Sequence, residues 1–151
     1  MELLAFLFFL PFGRSQPRTD LAAWQQLSAG FADRGIAVVS NHPRCAEPNL
    51  DGLYVRGRRE VVVCERGDRS ATLRHEGWHL VQTLCLFDRP WLEAAEVEHR
   101  LSRDDRRELE ALVRPERRAR EAEARVMAQL KPVDYLVALD QACARVFGKA
   151  Q

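Results

Sequence analysis

The strand-forming stretches of this chain all lie between Ile36 and Cys64, and from Ser70 onward the pattern is helical. That segregation constrains the fold more than any single residue. Alternating strands and helices build a doubly wound parallel sheet, whereas strands followed by helices build an α+β domain. Ile36-Ala37-Val38-Val39 is short and β-branched and predicts a first strand. Leu53 to Arg56 and Glu60 to Cys64 flank Gly57-Arg58-Arg59 and predict a hairpin. Asn41 to Asn49, with Pro43 and Pro48, reads as a loop. Ahead of the strands, Asp20 can cap a helix whose Leu21, Trp24, Leu27 and Phe31 follow helical spacing as far as Gly35. After them, helices are predicted over 70–87, 91–101, 103–113, 116–130 and from Pro132 to near Gly148. Pro90, Ser102, Pro115 and Pro132 mark their starts. The expectation is α+β: a small antiparallel sheet or hairpin followed by a helical bundle.

The helix predicted over 70–87 carries the chemistry. His75-Glu76-Gly77-Trp78-His79 is H-E-x-x-H. Residues four apart lie on one helix face, so His75 and His79 can offer two imidazole nitrogens to one metal at about 2.0–2.1 Å. Glu76, beside the first ligand, can take a proton from a water held there. Zinc lowers the pKa of such a water toward about 7. No Gly or Pro breaks Thr72-Leu73-Arg74 or Leu80 to Leu84, and Leu73, Leu80, Val81 and Leu84 give the helix an apolar face.

A zinc site needs a third ligand, and three sources are available. Cys85 occupies the third-His position of the longer metzincin pattern, but on a continuing helix it points about 80° away from the histidines, at about 100° per residue. His99 lies on a charged helix and reads as a surface residue. Glu121-Ala122-Glu123-Ala124 lies on a later helix, where small alanines permit close crossing and either glutamate can complete a two-His, one-Glu site.

H-E-x-x-H followed by a helix bearing E-x-E-A resembles the gluzincin group of zinc peptidases. The resemblance runs from the motif helix to Arg125, about a third of the chain. It implies a zincin-like fold, a peptide or protein substrate and Zn2+. It also implies Glu76 as general base and His75, His79 and Glu121 as ligands, with Glu123 as the alternative ligand or a support. In that group an Asp four residues after the ligand Glu supports a ligand histidine; here the position is Arg125, so another acceptor must orient the ring. An edge strand ahead of the motif helix binds extended substrate in such peptidases, and Glu60 to Cys64 is the nearest strand in sequence. No oxyanion stabiliser stands out among Tyr54, Tyr135 and Arg74. The alternative is a non-catalytic zincin-fold protein with a structural zinc or a partner-binding role.

Composition bounds the remaining possibilities. A chain of 151 residues with 46% apolar and 30% charged residues fits one globular domain. Lys+Arg at 23 against Asp+Glu at 22 gives a net charge of +1, no basis for a nucleic-acid partner. From Glu98 to Arg125, nine Arg alternate with eight acids, the pattern of a solvated helical face with i,i+4 pairs.

Four cysteines allow three pairings; Cys45–Cys64 around the hairpin and Cys85–Cys143 between two helices is the expected one. Leu3 to Leu10 is an unbroken apolar run, too short to span a bilayer but of signal-peptide length. Residues 1–15 are thus expected to be a signal peptide and 16–151 an exported domain, the alternative being a buried N-terminal segment.

Overall fold

A computed structural model describes residues 20–148. The expected signal peptide lies outside the described residues. Six helices and a three-stranded sheet make an α+β fold, in the order α1 (Leu21–Asp33), β1 (Ala37–Val39), a 3-10 turn (Pro43–Ala46), β2 (Gly52–Tyr54), β3 (Glu60–Val63), α2 (Arg69–Leu84), α3 (Ala94–Arg100), α4 (Arg103–Leu112), α5 (Pro115–Met127) and α6 (Pro132–Cys143). Among the described residues, no helix is long and apolar enough to cross a membrane.

The sheet order is β1-β3-β2. β2 and β3 form the expected antiparallel hairpin, with Leu53 opposite Val62. β1 pairs parallel to β3, with Val38 opposite Val61. The sheet is therefore mixed rather than antiparallel throughout. The chain leaves β1, passes through the 3-10 turn to the far edge as β2, then returns to the centre as β3. This corrects a second expectation: Glu60 to Cys64 cannot offer an edge to a substrate, because β3 has a neighbour on both sides. The continuous apolar run Val61-Val62-Val63 fits that central place, and all three are fully buried.

The helix starts follow their caps. Asp20 accepts from the Ala23 amide at 3.1 Å, and Ser102 from the Asp105 amide at 3.0 Å. Pro115 and Pro132 open α5 and α6. Pro90 opens nothing: α3 begins at Ala94, and the amides of Trp91 and Leu92 ahead of it are bonded to a carboxylate from α5. α2 stops at Leu84 rather than Phe87, where Phe87 and Asp88 adopt φ of 51° and 61° and turn the chain back.

α2 runs through the middle of the molecule, against β2 and β3 and against α1, α5 and α6. Its Leu73, Trp78, Leu80 and Val81 join Leu27, Phe31, Tyr135 and Leu139 in the main core. Burying each of the aliphatic side chains is worth about 1.5–3 kcal/mol. Tyr135 lies between Phe31 and Trp78, its ring centroid 6.1 and 6.0 Å from theirs. Val97, Leu109, Ala122 and Val126 form a smaller core that joins α3 and α4 to α5.

Both expected disulfides are present, Cys45–Cys64 and Cys85–Cys143. The first ties the 3-10 turn to the end of β3; the second ties the end of α2 to the end of α6. Along the charged stretch, Glu96–Arg100 is an i,i+4 pair, whereas Arg106–Glu98 and Arg125–Asp105 link one helix to another.

Candidate metal centre

The site begins at the cap of α2. Asp68 Oδ1 accepts from the amides of Ser70 and Ala71, both at 3.1 Å, satisfying two of the helix's free N–H groups. An unbroken helix of 16 residues follows, so His75 and His79 stand one turn apart. Gly77 between them is a packing requirement: a Cβ there would lie 2.7 Å from Phe31 Cε1 and 2.8 Å from Tyr135 Oη. α2 thereby sits deep against α1 and α6, with its histidine face turned to α5.

α5 crosses α2 on the small residue Ala124, fully buried in the main core, while Ala122 packs away from it with Val97 and Leu109. Glu121 is delivered to the two rings. Its Oε1 lies 3.0 Å from His75 Nε2 and its Oε2 3.1 Å from His79 Nε2, while the two Nε2 atoms are 3.2 Å apart. The donor atoms of all three residues fall within 4.8 Å of one another, a group able to hold a metal ion.

The spacing suits such an ion. With bonds of about 2.0–2.1 Å, neighbouring ligands of a tetrahedral zinc are about 3.3 Å apart. Here the two Nε2 atoms are 3.2 Å apart, and each lies 3.0 to 3.1 Å from a different oxygen of the Glu121 carboxylate, so neighbouring donor atoms stand close to that spacing. Two imidazole nitrogens and a carboxylate crowded this closely repel one another unless a proton or a cation stands between them.

Without an ion, protons take that part. Burial pushes the Glu121 carboxyl up, but the bonds to His75 and His79 outweigh it and hold the group far below the usual carboxylate range. Burial pushes His79 down, and the contacts with Glu121, Glu76 and Gln82 outweigh it, leaving the ring above its ordinary value.

The second nitrogen of His79 is also committed. Nδ1 lies 2.9 Å from Gln82 Oε1. An amide oxygen only accepts, so Nδ1 carries a hydrogen, which leaves Nε2 as the nitrogen whose lone pair faces the site once the ring is neutral. Gln82 is 3% exposed, and its Nε2 donates to the Arg120 carbonyl at 3.0 Å and to Glu123 Oε1 at 3.1 Å. The Glu123 carboxylate, 3% exposed, also accepts from Trp78 Nε1 at 2.9 Å and from the amides of Trp91 and Leu92 at 2.7 and 3.0 Å. With four donors on its two oxygens, Glu123 stands apart from the histidines as an anchor for Gln82. The only sequence signal for Gln82's role is its place three residues after His79 on the same face.

Arg125, at the position of the absent Asp, turns to α4. It donates to Asp105 at 3.0 Å and Glu108 at 2.7 Å, and its Nε lies 3.8 Å from Glu121. A guanidinium there stiffens α5 and adds positive charge behind the carboxylate.

Glu76 faces a cleft of about 720 Å³ whose walls include Tyr54, His79, Arg120 and Glu121. Burial raises its pKa above the ordinary carboxylate value, against the pull of His75, His79 and the Tyr54 N–H that donates to it. That N–H belongs to the free edge of the sheet. Cys64 N bonds Asp51 O, and Val55 N bonds Glu60 O. The antiparallel alternation therefore turns the backbone of Gly52 and Tyr54 outward, toward the cleft. Gly52 allows the approach: a Cβ there would sit 2.6 Å from Thr72 Cγ2 and 3.2 Å from Glu76 Cγ.

Other candidates are engaged elsewhere. Cys85 is held in a disulfide and His99 is exposed on α3. Tyr135 is fully buried, with its hydroxyl donating to the Arg74 carbonyl at 2.8 Å, while the Arg74 guanidinium donates to Leu130 O. Tyr54 alone of the three oxyanion candidates lines the cleft. No family model, curated protein or solved structure matches the chain.

Proposed function

We propose that this chain is a zinc-dependent metallopeptidase of the zincin type, similar to the gluzincins, that acts outside the reducing cytosol. The observation that carries the reading is the convergence of His75, His79 and Glu121, with His79 and Glu121 beside Glu76 at the wall of one cleft. Two imidazoles and one carboxylate suit zinc, and three protein ligands leave a coordination position open, as catalytic rather than structural zinc sites do. When bound there, zinc supplies a Lewis acid that polarises a scissile carbonyl and makes water a nucleophile near neutral pH.

This chain's own residues then have distinct tasks. Glu76, raised in pKa by its burial, takes a proton from the attacking water and returns it to the nitrogen of the leaving amine. Gln82 holds His79 in the tautomer that presents Nε2. Apart from the Tyr54 N–H that Glu76 holds, the outward backbone of β2 offers hydrogen bonds to an extended polypeptide, so the strand suited to substrate is Gly52–Tyr54 rather than Glu60 to Cys64. Two disulfides favour an oxidising compartment, in keeping with the apolar Leu3 to Leu10 run.

The test is hydrolysis of a broad peptide library by the full chain folded with zinc. Cleavage that a chelator abolishes and zinc restores is expected, as is its loss in Glu76→Gln with zinc still bound. Zinc bound at one per chain without cleavage of any peptide would overturn the peptidase reading in favour of a structural or partner-binding zinc protein.

A further inference from the structure

The charges that line the cleft are not evenly spent. Two of its acids, Glu76 and Glu121, belong to the centre, Glu123 is saturated by four N–H donors, and Asp88 is paired with Arg120. Only Glu116 is left over among the acids of the lining.

The guanidiniums stand differently. Arg56, Arg89 and Arg117 line the same cleft, all three are exposed, and none has an acidic partner among the described residues. Arg89 bonds only the Leu86 carbonyl, at 3.3 Å. The contrast is sharpest along α5, which carries four arginines. Arg118 is bonded to the carbonyls of Val113 and Glu110, Arg120 to His79 O and Thr83 Oγ1 besides Asp88, and Arg125 to Asp105 and Glu108. Arg117, one turn before Glu121 and lining the cleft, has no side-chain partner among the described residues. Arg56 follows the outward-facing strand β2, and Arg89 follows the turn that ends α2. Three separate elements thus bring unpaired positive charge to one opening beside the metal centre.

Resting on the peptidase reading above, we propose that the cleft selects polypeptide substrates with Asp or Glu side chains flanking the cleaved bond. A carboxylate can be gripped bidentately by a guanidinium, whereas a Lys or Arg side chain at the same place meets like charge. Exposed pairs are individually weak, so three together set a preference of about tenfold. Charges at this depth are screened over about 8 Å at physiological ionic strength, so the preference is salt-dependent.

The test incubates the zinc-loaded full chain with a proteome-derived peptide library and reads cleaved bonds by mass spectrometry. Asp and Glu enriched about tenfold over Lys and Arg within three residues of the cleaved bond is expected, shrinking in high salt. The double charge reversal Arg56→Glu/Arg117→Glu is expected to erase or invert that enrichment while zinc content stays at one per chain. A second arm passes the same library over immobilised, zinc-loaded Glu76→Gln protein and reads which peptides are retained. If nothing is cleaved, the peptidase reading fails, and the retained set alone decides the charge selectivity. Cleaved or retained sets without acidic enrichment, or an empty retained set where nothing is cleaved, or enrichment that survives the charge reversal, would overturn the proposal.

Discussion

Replacing Gln82 by leucine is expected to weaken zinc binding by about 10–100-fold, or about 1.4–2.8 kcal/mol, with the chain still folded. Leucine nearly matches glutamine in volume and is a good helix former, so α2 survives the change. Three hydrogen bonds disappear, to His79 Nδ1, the Arg120 carbonyl and Glu123 Oε1. Glu123 keeps its bonds from Trp78, Trp91 and Leu92. His79 has no such reserve. Its Nδ1–H is left facing a methyl group, its ring is free to rotate, and the tautomer with the hydrogen on Nε2 becomes accessible. Gln82→Glu is not expected to rescue binding, because a second carboxylate would meet Glu123 across 3.1 Å in a buried place. Zinc titration against a chromophoric chelator gives the affinity. Nitrogen NMR of the metal-free ring gives the tautomer, and circular dichroism checks the fold. A folded Gln82→Leu variant with an affinity within twofold of the parent would refute the role assigned to Gln82.

Other outcomes follow from packing, cross-links and protons. Gly77→Ala gains about 1 kcal/mol of helix propensity but drives a methyl group into Phe31 and Tyr135, so a net destabilisation is expected, of order 1–2 kcal/mol; an unchanged or raised denaturation midpoint would contradict the close approach. The chain-entropy view makes the Cys85–Cys143 link, with its ends 58 positions apart in sequence, worth about 4 kcal/mol and Cys45–Cys64, 19 apart, about 3 kcal/mol, so serine pairs at the two sites should differ in that order in denaturant midpoints. In the metal-free chain, Glu121 titrates below its ordinary 4.5 and His79 above its ordinary 6.5. The Glu121 contribution to stability is therefore complete above pH 4.5 and fades as the pH falls below it, whereas the His79 contribution is complete below pH 6.5 and fades as the pH rises through the raised value. The melting temperature with chelator should accordingly peak between those limits. With zinc, which needs an unprotonated His79, the peak should move to higher pH; identical profiles with and without zinc would contradict this.

What could be read from sequence was local. Asp20 and Ser102 cap their helices because a side-chain oxygen and an amide three residues away need nothing from the rest of the fold. His75 and His79 share a face for the same reason. Glu121 was within reach of sequence reasoning only as one of two glutamates on a later helix. What separates it from Glu123 is the rotation of α5, which Ala122, Ala124 and Val126 fix by packing inward. The missed features are non-local. Nothing in Ile36 to Val39 announces a parallel partner, so the sequence suggests an edge at β3 where β1 in fact covers it. Pro90 is a helix-start signal, yet α3 begins at Ala94, and the Trp91 and Leu92 amides between them meet the Glu123 carboxylate from 32 and 31 residues away, a contact no local pattern announces. Gln82 was invisible for a related reason: its two ends serve His79 and Glu123, and only the crossing of α2 and α5 brings those together.

The central claim is that His75, His79 and Glu121 form one zinc site. X-ray absorption at the zinc edge tests it most directly, on the full chain folded with equimolar zinc. The account predicts one zinc per chain with two imidazole nitrogens and carboxylate or water oxygen at about 2.0–2.1 Å, and no sulfur. It also predicts that an imidazole signal is lost in His79→Ala. A sulfur contribution, or no zinc retained by the folded chain, would contradict it.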